Sequence, residues 1–184
     1  MTLIKRKDKK GMFGILFFFI ILFSILIIGF ILVIATGVLG FASDEITPIM
    51  SEVGMIDDAN FSQASTYTFG VTDTLIKSAP WLIALGYVMA LIFSIVLVVG
   101  YNYNPNPAFI GFYIALIMLL ILGSIIISNA YEDIYTGTDE ISLKLQEQTA
   151  MSYLILYSPF IMTIIAFITG IFLFAGNREI GGQV

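Results

Sequence analysis

The sequence contains no cysteine and no histidine. Without cysteine there is no disulfide, thiolate ligand or thiol nucleophile. Redox enzymes of the four-helix membrane type that work through cysteine pairs are therefore excluded. Without histidine, the commonest general base and the commonest metal ligand are also missing. Charge is scarce as well. Asp, Glu, Lys and Arg make up 11% of the 184 residues, whereas a soluble domain of this length carries about a quarter. Four long runs carry no charged residue at all: Gly11 to Ser43, Ser78 to Tyr101, Pro107 to Ser128 and Thr149 to Gly176. Transporters, proton relays and voltage sensors keep ionisable groups within the membrane, so these bare runs argue against that class.

Apolar side chains take the place of charge. The chain is 59% hydrophobic, with a mean hydropathy of +1.00. One small core cannot bury that surplus, so its solvent must be lipid. The expected fold is all-α: a four-helix transmembrane bundle in one membrane domain, residues 1–184. Its spans are predicted at about 12–41, 79–101, 107–128 and 150–175, with outer loops at 43–78 and 129–149. The first run is too long for a secretory signal and reads as a retained span. Its 31 residues from Gly11 to Phe41 would reach about 46 Å as a helix, against a hydrocarbon core of about 30 Å. It must tilt, protrude or stop early, and Gly37 and Gly40 are expected loosening points. Pro159 should kink the fourth span unless it lies near the start. Spans two and three are joined by Tyr101-Asn102-Tyr103-Asn104-Pro105-Asn106-Pro107, a tight turn with no room for a domain.

The charges orient the chain. Lys5, Arg6, Lys7, Lys9 and Lys10 precede the first span, opposed only by Asp8, and Arg178 follows the last. Six of eight basic residues thus lie on the side of the termini, which predicts both termini on the cytoplasmic or interior side. The two outer segments hold eleven acidic residues against Lys77 and Lys144, a strongly anionic outer face. The basic start is expected to set topology and to touch anionic lipid. A sharper reading gives it a polyanion or acidic protein on the inner side, and nucleic acid has no other plausible contact.

Within the first outer segment, Thr47 and Pro48 resemble an N-cap and first helical residue. Ile49, Met50, Val53 and Ile56 then share a face, which predicts a short amphipathic helix. Asp57 to Thr74 is rich in Ser, Thr, Asn and Asp and is expected to be loop. In the second outer segment Thr138 is expected to cap a helix that starts at Asp139 and runs unbroken into span four.

Few residues carry chemistry. Asp57-Asp58 and Glu132-Asp133 are paired carboxylates without a nearby base, nucleophile or EF-hand spacing, and read as solvated surface. Asn60-Phe61-Ser62 is a glycosylation sequon on the outer side. No catalytic residue, metal ligand or cofactor is expected. The spans do carry a packing signal of small residues on single faces: Gly86, Ala90 and Ser94 in span two, Gly111 and Ala115 in span three, Ser158, Ala166 and Gly170 in span four. Such stripes let helices approach closely, either within this bundle or against another copy or a partner.

The order of a long first outer loop, tight inner turn and shorter second outer loop resembles claudin-type junction proteins in topology. The chain lacks their tryptophan-containing motif and cysteine pair. Asn104-Pro105-Asn106-Pro107-Ala108-Phe109 and Ser128-Asn129-Ala130-Tyr131-Glu132-Asp133 resemble uncharacterised four-helix membrane proteins encoded by viruses and mobile elements. That resemblance implies a structural component of a membrane-containing virion, or a protein placed in a host membrane. The expected function is structural or scaffolding and non-enzymatic, with lipid and other membrane or capsid proteins as partners and homo-oligomerisation open. A pore or holin-like permeability protein and an accessory subunit of a membrane enzyme are the alternatives.

Overall fold

Residues 4–53, 55–56, 59–100 and 110–175 are described in a computed structural model. Among them are six helices: α1 (Ile4–Val53), α2 (Phe61–Gly100), α3 (Ile110–Tyr135), α4 (Glu140–Glu147), α5 (Thr149–Leu156) and α6 (Ser158–Ala175). A two-residue antiparallel pairing, Met55–Ile56 (β1) with Ala59–Asn60 (β2), joins α1 to α2. Three helical stretches are long and apolar enough to cross a membrane: Phe13–Met50, Lys77–Leu97 and Ile110–Tyr135. The pair α5 and α6 makes up to a fourth if its 64° bend lies within one span.

The first two helices are longer than their apolar runs require. α1 has 50 residues and α2 has 40, so at 1.5 Å each they measure roughly 75 and 60 Å, about twice the hydrocarbon core. No separate amphipathic helix starts at Thr47. Pro48 sits inside α1, where its missing N–H leaves the Asp44 carbonyl without an in-helix donor. Thr47 Oγ1 donates back to the Ser43 carbonyl at 2.6 Å, holding this turn in helical register. The expected loop is likewise helical from Phe61 onward, because the chain turns back within a few residues and α2 runs along α1. Pairing two long helices outweighed the weak local preference of Ser and Thr for loops. The turn at residues 101–107, the pair Asp57-Asp58 and the C-terminal tail lie outside the described residues.

α3 extends seven residues beyond the expected end at Ser128, through Tyr131, which is fully buried. The predicted continuous helix from Asp139 into span four is broken twice. α4 ends at Gln148, and α5 turns into α6 at Tyr157. Asp139, rather than Thr138, occupies the cap position of α4. The bend follows from Pro159, which falls in the first turn of α6 and leaves the Ile155 carbonyl without its in-helix donor. Ser128 Oγ of α3 donates to the Leu156 carbonyl at 2.6 Å, at the same break.

The core lies along one face of α1, where Ile15, Phe18, Leu22, Leu26 and Val33 recur at helical spacing and are at most 2% exposed. Tyr113 of α3 packs edge-on against Phe19 and Phe174, each at 5.4 Å between ring centres. The outward faces are also apolar. Phe17, Trp81, Leu85, Leu119, Ile126 and Phe167 are all exposed. Only 17–33% of each spanning window is buried within the protein. A greasy outer surface of this extent is stable against lipid and not against water.

Candidate functional site

The most developed polar feature is a cavity of about 140 Å³ between α1, α2 and α4. Thr36, Gly40 and Asp44 reach it from one face of α1, spaced four apart. Lys77 and Pro80 line it from α2, Lys144 and Glu147 from α4, and Gln148 from the break between α4 and α5. The only two basic residues between positions 11 and 177 therefore share one cavity. Lys144 Nζ lies 2.6 Å from Asp44 Oδ2 and 3.1 Å from Glu147 Oε2, so it ties α4 to α1. The bond to Asp44 raises the Lys144 pKa above its ordinary value. Pro80 supplies no N–H, which leaves the Ile76 carbonyl without an in-helix donor one turn earlier.

Below these charges the site is built from buried amides and hydroxyls. Thr36 and Gln148 are 8% and 7% exposed. Their side chains meet at 2.8 Å, while Thr36 Oγ1 also lies 2.9–3.0 Å from the Val33 and Leu32 carbonyls. A hydroxyl has one proton. If it goes to α1, the Gln148 amide donates to Thr36 and turns its oxygen to the remaining side; if it goes to Gln148, the amide nitrogen is turned there instead. Either way one polar atom of Gln148 has no partner among the described residues. Gln148 is held by α1, since a Cβ at Gly37 would lie 3.5 Å from its amide nitrogen and 2.6 Å from Leu145. Gly37 is thus a close-approach position, not a loosening point.

A second polar set fastens α3 to the broken helices. Tyr131 Oη donates to Ser152 Oγ at 2.6 Å, and Ser152 passes its own proton to the Leu145 carbonyl at 2.9 Å. Tyr113 Oη donates to the Ala166 carbonyl at 2.6 Å, and Gln146 Nε2 to the Tyr135 carbonyl at 2.7 Å. Ser142 Oγ bonds the Asp139 carboxylate, which lowers the Asp139 pKa. Tyr87 Oη and Ser158 Oγ are buried with no partner among the described residues.

The small residues singled out from sequence divide in two. Ser94, Ser158 and Ala166 are fully buried, and a Cβ at Gly170 would lie 3.0 Å from the Tyr113 ring. Ala90 is half-buried, while its neighbour Leu91 is only 5% exposed. Gly86, Gly111 and Ala115 face outward, and a Cβ at Gly86 or Gly111 would meet nothing within 4 Å. These three close no contact between described helices. The stripe missed from sequence is on α1: Gly29, Val33 and Gly37, four apart, with Gly29 against Tyr87 and Met151. The spacing rule applied to the other spans would have found it. The side chains of Lys5, Arg6, Lys7, Lys9 and Lys10 lie outside the described ones, although their backbone belongs to α1. Glu132 and Asp133 are exposed at the end of α3. No group of three or more acidic, His or Cys side chains suited to a metal occurs among the described residues.

Comparison with protein-family models, with characterised proteins and with solved structures finds no match to this chain.

Proposed function

We propose that this protein is a non-enzymatic scaffold of a larger membrane assembly: a four-span protein with both termini inside, whose first two helices continue outside as an antiparallel hairpin. The observation that carries this reading is the length of α1 and α2, about twice what a bilayer requires. Helices kept beyond the membrane provide a surface for protein contact. The acids Asp44, Glu45, Glu52 and Asp73 ride on this hairpin and keep it out of the lipid. The lack of ionisable groups in the apolar runs supports a structural part over a transporter. The break between α5 and α6 is bonded by Ser128, which favours a packed interior over an open pore. The basic start fits an inner-face anchor on anionic lipid.

The test is mild extraction followed by identification of stoichiometric partners, with the intact chain and with a chain in which residues 49–72 are replaced by a short Gly/Ser linker. A partner retained by the first and lost from the second supports the scaffold. A partner held equally by both, or selective conductance in planar bilayers, would sink it.

A further inference from the structure

The cavity between α1, α2 and α4 has no part in the scaffold reading, and its chemistry is specific. Its walls carry two ammonium groups, Lys77 and Lys144, and two carboxylates, Asp44 and Glu147. Its base carries Gln148, nine-tenths buried, with one amide atom unpartnered among the described residues. Its depth is that of the membrane boundary. Lys77 begins the apolar stretch of α2, and Trp81, the chain's one tryptophan, lies a turn further in and is 71% exposed. Exposed tryptophan at the end of a span sits at the headgroup level. Leu82 and Leu85 follow on α2, also exposed, as apolar surface for acyl chains.

We propose that this cavity holds the phosphoethanolamine headgroup of a membrane phospholipid. Lys77 lines the cavity and faces the phosphate; an ammonium has three donors, so it can reach a phosphate oxygen beside the interaction it already makes. The lipid's primary ammonium meets Glu147 and Asp44, the carboxylates that Lys144 already draws to this side. The Gln148 amide bonds a headgroup oxygen or N–H, according to which of its atoms is turned inward. Three features select this group from other headgroups. Among the described lining residues the four charges cancel, so a net-neutral zwitterion fits better than an anion. An anionic lipid would also meet an outer surface carrying eleven acids against two bases. Choline's quaternary ammonium offers no N–H and is held by aromatic cages, yet no aromatic residue is among the described ones that line this cavity.

The proposal rests on the membrane placement of the helices and not on partner binding. Its test is native mass spectrometry of the purified full chain titrated with phosphatidylethanolamine, phosphatidylcholine and phosphatidylglycerol of matched acyl chains. Phosphatidylethanolamine is expected to be retained about tenfold more than the other two, the effect of one charge-assisted hydrogen bond. Lys77→Gln and Glu147→Gln, both at exposed residues, should each lower that retention about tenfold without moving the thermal midpoint. Glu132→Gln, remote from the cavity, should not change it. Equal retention of all three lipids, or retention untouched by both cavity variants, would overturn the proposal. Displacement of the bound lipid by excess free glycerophosphoethanolamine would overturn the lipid source and assign the site to a soluble solute of the same chemistry.

Discussion

Gly29 and Gly86 offer a matched test of how the helices pack. Both lie well inside long helices, so Gly→Ala brings each the same gain in helix propensity, about 1 kcal/mol. Their surroundings differ. A Cβ at Gly29 would stand 2.8 Å from Cδ2 and Cε2 of Tyr87 and 3.0 Å from the Met151 methyl. Tyr87 is 5% exposed and Met151 fully buried, so neither ring nor methyl has free space to retreat into. A Cβ at Gly86 would meet nothing within 4 Å. Overpacking a filled core costs about 1–3 kcal/mol, which cancels or exceeds the propensity gain at Gly29 and leaves it intact at Gly86. Gly29→Ala should therefore be less stable than Gly86→Ala by about 1–3 kcal/mol. The assay is unfolding of both variants in mild detergent, monitored by far-ultraviolet circular dichroism, with the cost of Gly29→Ala in a Tyr87→Ala background as a check that the ring is the obstacle. Coincident transitions would show that α1 and α2 do not approach at Gly29, and the assignment of α1 as the central packing helix would fall. A loss at Gly86 as large as at Gly29 would instead place an interface with another molecule on that face.

Three further outcomes follow from the polar groups. Tyr131→Phe and Tyr113→Phe each remove a buried donor and strand its acceptor, so each should cost about 1–3 kcal/mol, whereas Tyr87→Phe removes an unpartnered hydroxyl and should be neutral or stabilising; equal losses for all three in a denaturation series would contradict the hydrogen-bond assignments. The Ser142 bond holds Asp139 below the ordinary carboxylate range, so the stability it contributes is present above the unfolded pKa and is lost as pH falls through the lowered folded value. Ser142→Ala should move the Asp139 titration upward when followed by carboxyl NMR, and no movement would exclude Ser142 as the cause. Replacing Glu132 and Asp133 by Gln and Asn should leave folding and assembly intact, because both are exposed; loss of function with normal folding would reveal a site there.

What the sequence made legible was set by long-range composition, and what it hid was set by tertiary contact. The four uncharged runs located the apolar stretches, since a helix satisfies its backbone polar groups within one segment and can lie in lipid. The ends of the helices were hidden. Thr47-Pro48 carries the local signature of a helix start, yet α1 passes through it with Thr47 bonded back to Ser43. Ser- and Thr-rich residues after Phe61 favour loop locally, but α2 lies along α1 there. Pro159 announced a kink, and the bend occurs beside it; the second break, at Gln148, had no proline or glycine to mark it. The cavity was invisible because its parts are distant in sequence: Thr36 and Gln148 are 112 residues apart. One clue was available in the isolation of Lys77 and Lys144, the only basic residues between positions 11 and 177. Small-residue spacing located Ser94, Ala166 and Gly170 in contacts, but spacing alone does not say which face is inward, and Gly86 and Gly111 point out.

The bend between α5 and α6 leaves a sharp alternative: a pair that crosses the bilayer gives four spans and termini on one side, and a pair that re-enters gives three spans and termini on opposite sides. The chain contains no cysteine, so single cysteines can report position without background. Thiol labelling of intact cells with a membrane-impermeant reagent, at positions 2, 62, 138 and 183 in turn, tests this directly. The account predicts labelling at 62 and 138 and protection at 2 and 183 until the membrane is permeabilised. Labelling at 183 with protection at 2 would contradict four spans, and labelling at 2 with protection at 62 would invert the orientation.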